Sequence, residues 1–318
     1  MKKCLCLLAA ALVGLTLLSG ITGAWERGTH AYIADALKKA GGPYNIDEMY
    51  GSMAPDVFNY MFSPPYVLFR NYLYDQTHHQ FSLVRDAVKW GYEKSSAYGF
   101  LSHNNTWGAD STAHRASLTL LPGEGYIITK ATMLNAMLLA DPMYAALVAG
   151  NPDVGIEICH NVIEAVGDIV LARHDRTVGA KLIEIALRPQ PHMQNLMVRA
   201  YASGLAMNSD SLGFHLSLAD AESLIRNQEL GFRTMCIGYG YLLQGEEAAL
   251  VANVKAQFLE LAKVFLALNG LDVPPDNVIM GLLDASFLVA EQLIQFDYMN
   301  EVEATIAMVK RNMVKKVK

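Results

Sequence analysis

Six of the nine histidines in this 318-residue chain, His30, His78, His79, His103, His114 and His160, fall by residue 160, each near a carboxylate or another histidine. His174, His192 and His215 stand apart from such groups. A neutral imidazole offers a lone pair to a borderline-soft cation, and a nearby carboxylate offsets that cation's charge, which is the donor set of a zinc site. Each histidine alone is more simply read as a hydrogen-bonded core or surface imidazole. Taken as a set, they point to metal.

Spacing sharpens the point. His160 and Glu164 are four apart in a segment of good helical character, so both project from one face. His103, Asp110 and His114 are separated by seven and four residues, and on one continuous helix all three would share a narrow stripe. Asn104-Asn105-Thr106 and Gly108 are poor helix formers, so a bulge could break that stripe. Asn104-Asn105-Thr106 is also formally a glycosylation acceptor pattern, to which no weight is attached. Cys159 neighbours His160 but points to another face; it reads as a buried thiol or half of a disulfide with Cys236.

The elements that must position these residues read as helices. Apolar periodicity predicts them over Ala31–Lys39 (closed by Gly41-Gly42-Pro43), Phe81–Lys94, Ala131–Val148, Gly155–Arg173 and Val178–Leu187, the last stopped by Arg188-Pro189-Gln190-Pro191. Leu218–Leu230, Glu246–Leu268 and Asn277–Lys318 follow. Sustained alternation and hairpin dipeptides are lacking, so strands are not expected. Val278–Met299 is strongly apolar but is interrupted by Asp284, Glu291 and Asp297, which suits a core helix better than a membrane span. One all-α domain is the base expectation, with 192–318 as its C-terminal helical part.

The first 24 residues read as an export signal. Lys2 and Lys3 precede an apolar run from Cys4 to about Leu18, and Thr22 and Ala24 occupy the −3 and −1 positions of a cleavage site. Cleavage would start the remaining chain, 25–318, at Trp25, in a periplasmic or secreted protein. Losing Lys2 and Lys3 takes the formal charge from −6 to −8, which argues against duplex nucleic acid as a partner.

The order Trp25, His30, Asp56, His78/His79, His103, Asp110, His114, His160, Glu164 resembles the zinc-dependent phospholipase C family, whose fold is shared by single-strand-specific nucleases. The matching pieces are Trp25-Glu26-Arg27-Gly28-Thr29-His30, Met53-Ala54-Pro55-Asp56, Phe100-Leu101-Ser102-His103, Asp110-Ser111-Thr112-Ala113-His114 and His160-Asn161-Val162-Ile163-Glu164. They span residues 25–164. The resemblance implies an all-helical bundle and three zinc ions. One would be held by the Trp25 amine and carbonyl, His30 and a shared Asp110. The second would be held by Asp56, one of His78 and His79, His103 and Asp110, and the third by His114, His160 and Glu164. Members usually place the aspartate four residues after the histidine matching His103, where Trp107 stands here, so Asp110 comes with three inserted residues. Adjacent helical positions diverge by about 100°, so only one of His78 and His79 should face the metals, with His79 slightly favoured.

The activity so implied is hydrolysis of a phosphodiester, with a zinc-bridging water as nucleophile and Asp56 orienting it or taking its proton. The expected substrate is a phospholipid or another phosphodiester, with contact to a membrane surface, and Tyr60, Phe62, Tyr66, Phe69 and Tyr72 are candidates for an apolar pocket. A single-strand nuclease or nucleotidase on the same site, and a non-catalytic zinc-binding helical protein, are the competing readings.

Overall fold

The computed structural model describes residues 25–317 apart from 40–44, 60, 62–65, 121–123, 150 and 189–190. The signal-peptide reading of residues 1–24 and the glycine-proline stops at 41–43 and 189–190 lie outside the described residues. Within them the fold is all-α, and no strand occurs.

The N-terminal half consists of α1 (Arg27–Leu37), α2 (Asn45–Met53), a 3-10 turn at Ala54–Phe58, α3 (Arg70–His78), α4 (Ser82–Asp86), α5 (Lys94–His103), α6 (Ala109–His114), α7 (Tyr126–Leu138), α8 (Pro142–Val148) and α9 (Pro152–His174). Then come α10 (Val178–Leu187), α11 (Pro191–Ser211), α12 (Leu218–Leu243), α13 (Glu247–Leu268), α14 (Asp276–Ile294) and α15 (Tyr298–Lys316). One buried apolar cluster runs from Trp25 to Val317.

The spine is α9. Pro152 sits at its first turn, where a missing N–H costs nothing, and Arg173 places positive charge in its last. From Val162 to Ala172 every residue is buried, because α1, α7 and α14 all pack on it. Its polar residues His160, Glu164 and Asp168 repeat every four positions and share one face. Asp168 caps a neighbour: its carboxylate accepts from the Gly28 and Thr29 backbone N–H groups, both at 2.8 Å, and from the Thr29 hydroxyl at 2.7 Å. Those N–H groups belong to the first turn of α1, where the Thr29 N–H also donates to the Glu26 carbonyl at 3.0 Å. Burial and the nearby Glu26 push the Asp168 carboxyl up to about 7 despite these bonds.

Two helix crossings are closed by glycine. A Cβ on Gly51 of α2 would lie 2.1 Å from the Ser96 carbonyl oxygen, and one on Gly99 of α5 would lie 1.9 Å from that of Glu48. Backbone therefore packs on backbone between α2 and α5. Gly179 and Gly240 do the same for α10 and α12.

Several expected helices are broken, each by an identifiable side chain. Phe81–Lys94 is not one helix: the buried Glu93 carboxylate accepts from the Lys89 and Trp90 amides at 2.8 and 3.1 Å, holding a turn between α4 and α5. Ala131–Val148 divides where Asp141 accepts from the Met143 and Tyr144 amides at 2.8 and 3.3 Å, ahead of Pro142, and the two helices meet at 119°. Asn277–Lys318 divides at Asp297, drawn out by the Tyr126 hydroxyl and the Lys130 ammonium, both at 2.6 Å. Leu218–Leu230 continues to Leu243, and α11 was not anticipated: Pro191, expected only to stop a helix, opens one. The apolar α14 is long enough to cross a membrane by composition, but it packs on α7, α9 and α13. Asp284 pairs with Lys255, and Glu291 with Arg173 at 2.6 Å, which accounts for its acids.

Replacing Gly99 with alanine should push α2 and α5 apart, because the clashing atoms are backbone and cannot swing aside. A loss of roughly 3 kcal/mol in unfolding free energy by urea titration is the expected outcome. Unchanged stability would contradict the backbone contact.

Candidate metal centre

Five separate elements deliver the first donors. α1 carries His30, the 3-10 turn carries Asp56, and His78 and His103 are the last residues of α3 and α5. Asp110 comes from the first turn of α6. The stripe expected on a single helix does not form. The chain leaves α5 at His103, and the Asn104 Oδ1 accepts from the Thr106, Trp107 and Gly108 amides at 2.8, 2.9 and 3.3 Å. A new helix then begins at Ala109. The three extra residues are absorbed in this turn, and Asp110 still arrives with an oxygen 3.0 Å from His103 Nε2 and the other 3.4 Å from His30 Nε2.

The remaining separations are of the same order. His78 Nε2 lies 3.4 Å from Asp56 Oδ1 and 3.6 Å from Asp110 Oδ2, and His103 Nε2 lies 3.7 Å from Asp56 Oδ1. Donors about 2.1 Å from a tetrahedral ion are about 3.4 Å from one another, so these atoms are spaced as ligands. His30, His103 and Asp110 form one such group, and Asp56, His78 and His103 form another, all buried.

A hydrogen bond on the far side of the His103 ring fixes its tautomer. His103 Nδ1 is 2.8 Å from the Ser52 carbonyl oxygen, and a carbonyl only accepts, so in the neutral ring Nδ1 carries the proton and Nε2 presents its lone pair. His78 Nδ1 lies 2.8 Å from the Thr77 hydroxyl and 3.1 Å from the Tyr74 carbonyl oxygen. The two Nε2 atoms nevertheless face each other at 3.1 Å, against two carboxylates. His30 Nε2 and both Asp110 oxygens are buried with no hydrogen-bond partner. Such a cluster is stable only around positive charge, supplied by protons or by metal.

Titration behaviour agrees. Burial lowers the affinity of His103 for a proton, but Asp110 and Asp56 outweigh it and lift the ring to about 9. Burial and the neighbouring His103 hold His30 well below the usual histidine value. For Asp56, burial works upward, yet His103, His78 and His30 bring it below the ordinary carboxylate range.

Between the two adjacent histidines, the structure turns His78 inward and His79 outward, reversing the expectation that favoured His79. Tyr74, one turn earlier, stacks on the His78 ring at 3.9 Å and holds it on the inner face. His79 is exposed and pairs with Asp75, also one turn earlier, at 3.0 Å.

His114, His160 and Glu164 form the third group. His160 Nε2 is 2.7 Å from Glu164 Oε1, and the His114 ring lies 5.3 Å from that of His160. Burial pushes the Glu164 carboxyl up to about 7 against the pull of His160. Trp25 is buried beside these groups: its indole N–H donates to the Ala109 carbonyl at 3.0 Å, one residue before Asp110, and its ring stacks on Tyr126.

A cavity of about 210 Å³ opens from the centre. Trp25, Asp56, Asn59 and Glu164 border it on the metal-centre side, and Met235, Tyr239, Phe258, Leu261, Phe265 and Leu283 supply an apolar wall. That wall belongs to α12, α13 and α14, which no motif had singled out. Of the aromatics expected there, Phe69 is in the core against Phe214, Tyr66 is exposed and Tyr72 has its hydroxyl close to Gly204, while Tyr60 and Phe62 are outside the described residues. Cys159 and Cys236 are both buried free thiols. Asn104, the formal glycosylation acceptor, is fully buried.

The chain matches no family model, no curated protein and no solved structure.

Metal and proton compete for His103. A ring lifted to about 9 is protonated at pH 7, so metal uptake there must expel that proton. Proton release measured by calorimetry in buffers of different ionisation enthalpy should be present at pH 7 and fade as the pH passes about 9. The sign for metal-free stability follows: the His103 contribution is full below about pH 6.5 and is lost as pH rises through about 9. Uptake with no proton release at pH 7 would contradict this picture.

Proposed function

We propose that this protein is a zinc-dependent phosphodiester hydrolase of the phospholipase C kind. The observation that supports it most is the convergence of imidazole nitrogens and carboxylates in one buried cluster beside a mainly apolar cavity. The mixed nitrogen and oxygen donors, with the short separations described above, suit Zn²⁺ better than a hard cation such as Mg²⁺ or Ca²⁺.

Three dications set against Asp56, Asp110 and Glu164 and five neutral imidazoles would leave net positive charge, which fits an anionic phosphate rather than a neutral ester. Bound there, the metals supply an acidified water and charge compensation for the phosphoryl oxygens. The chain's own groups orient and exclude. Asp56 borders the cavity, and its Oδ1 accepts from Asn59 at 2.8 Å, leaving Oδ2 to direct an attacking water. Hydrolysis would join the water oxygen to phosphorus, break the bond to the leaving alcohol and end with a proton on that alcohol. Removal of residues 1–24 would turn the Trp25 nitrogen from an amide without a usable lone pair into an amine that can ligate.

The apolar wall favours an ester with an apolar group over a nucleic acid strand, because it offers side chains such as Leu261 and Leu283 in place of a charged groove.

Assays on phosphatidylcholine micelles and on single-stranded DNA, with and without chelator, test this directly. Chelator-sensitive turnover of the micelles is expected, and Glu164→Ala should reduce it by about 100-fold or more with one metal lost per chain. Chelator-sensitive turnover of DNA alone would transfer the site to a nuclease, and tight zinc without any turnover would make it structural. Leu261→Trp should fill the cavity, raising KM for long-chain esters at least tenfold while sparing a short-chain analogue. Equal effects on both would place the apolar group elsewhere.

A further inference from the structure

Two of the three donor groups are linked by a side chain that is not itself a donor in either of them. Asn105 lies in the turn between α5 and α6 and is almost fully buried. Its backbone N–H donates to the His78 carbonyl at 3.3 Å. Its side chain spans the gap between two metal groups: Nδ2 donates to the Tyr74 hydroxyl at 3.2 Å, and Oδ1 faces His114 Nδ1 at 3.0 Å. Tyr74 is the residue whose ring stacks on His78 and whose carbonyl oxygen lies 3.1 Å from its Nδ1.

Resting on the metal-centre reading above, we propose that Asn105 is the positioning residue of the third metal site, selecting the His114 tautomer and tying it to the His78 side of the centre. The amide has two unlike ends. With Nδ2 committed to the Tyr74 oxygen, Oδ1 is the end presented to His114, and an oxygen acceptor there calls for a proton on Nδ1. The ring then offers Nε2 toward His160 and Glu164. A hydrogen bond of this kind on the far nitrogen both orients a ligating imidazole and raises its basicity. Two other imidazoles have backbone carbonyl oxygens at their far nitrogens: Ser52 for His103 and Tyr74 for His78. For His114 the turn at residues 104–108 brings a side chain instead. The same turn therefore delivers Asp110 to one pair of donors and steadies His114 for another.

The test needs no substrate. In metal-free protein, long-range proton–nitrogen correlation spectra, with His114 assigned by its loss in His114→Gln, should show the Nδ1–H tautomer. Asn105→Ala should abolish that preference, and Asn105→Asp, which keeps an acceptor oxygen, should restore it. Zinc titration followed by mass spectrometry should find the weakest-held ion bound at least tenfold more weakly in Asn105→Ala, with the other ions unaffected and Asn105→Asp near wild type. An unchanged tautomer in Asn105→Ala, or loss of all ions together, would overturn the assignment. If Asn105→Ala does not fold, Tyr74→Phe carries the test: freeing Nδ2 should shift the tautomer ratio in the same direction, and no shift would overturn it. A wild-type chain that takes up no zinc would remove the metal reading itself, a result separable from the tautomer measurement.

Discussion

Lone pairs and carboxylate oxygens packed within about 3–4 Å of one another, out of reach of water, repel unless a cation sits among them. His103 Nε2 against His78 Nε2, with Asp110 and Asp56 alongside, is that situation. The surrounding helices have to hold these groups together against the repulsion, and much of the architecture is directed to that end. Backbone-to-backbone packing at Gly51 and Gly99 brings α2 and α5 close enough for the Ser52 carbonyl to accept a hydrogen bond from His103 Nδ1–H. The Ser52 hydroxyl, donating to the His30 carbonyl at 3.0 Å, fastens α1 to the same point.

A second line of support runs through α9. One face of that helix gives His160 and Glu164 to the metal centre and, one turn further on, Asp168 to the N-terminus of α1. The helix that holds the third donor group is thus bonded to the helix that presents His30. Trp25 closes the arrangement from the other side by donating to Ala109, next to Asp110. Displacing one of these elements would disturb more than one donor group, which is how a rigid bundle keeps scattered ligands in register.

On the proposed reading, substrate selection would belong to a different part of the chain. The donors end at Glu164, whereas the apolar wall of the cavity is built by α12, α13 and α14. A change at Leu261 or Phe258 would then alter recognition without replacing a donor. The His114 orientation, by contrast, is coupled to the paired donors through Asn105 and Tyr74 and would respond to changes in either.

Helical character, the pairing of His160 with Glu164 and the core nature of α14 were legible in the residues alone, because each depends on a periodicity that repeats within one helix. Val178–Leu187 was read with its observed ends for the same reason: apolar spacing inside it and a proline just beyond. The break at Asp297 was not legible, since it is made by a side chain whose partners lie on another element. Nor was the choice of His78 over His79, which turns on the two sides of α3 facing different surroundings. Asp110 meeting His103 after a turn, rather than along a stripe, required the Asn104 side chain to cap that turn. Local periodicity determined which residues could share a face. Which faces meet was decided only by packing between helices far apart in the chain, and so the cavity wall and the Asn105 link appear only in the folded protein.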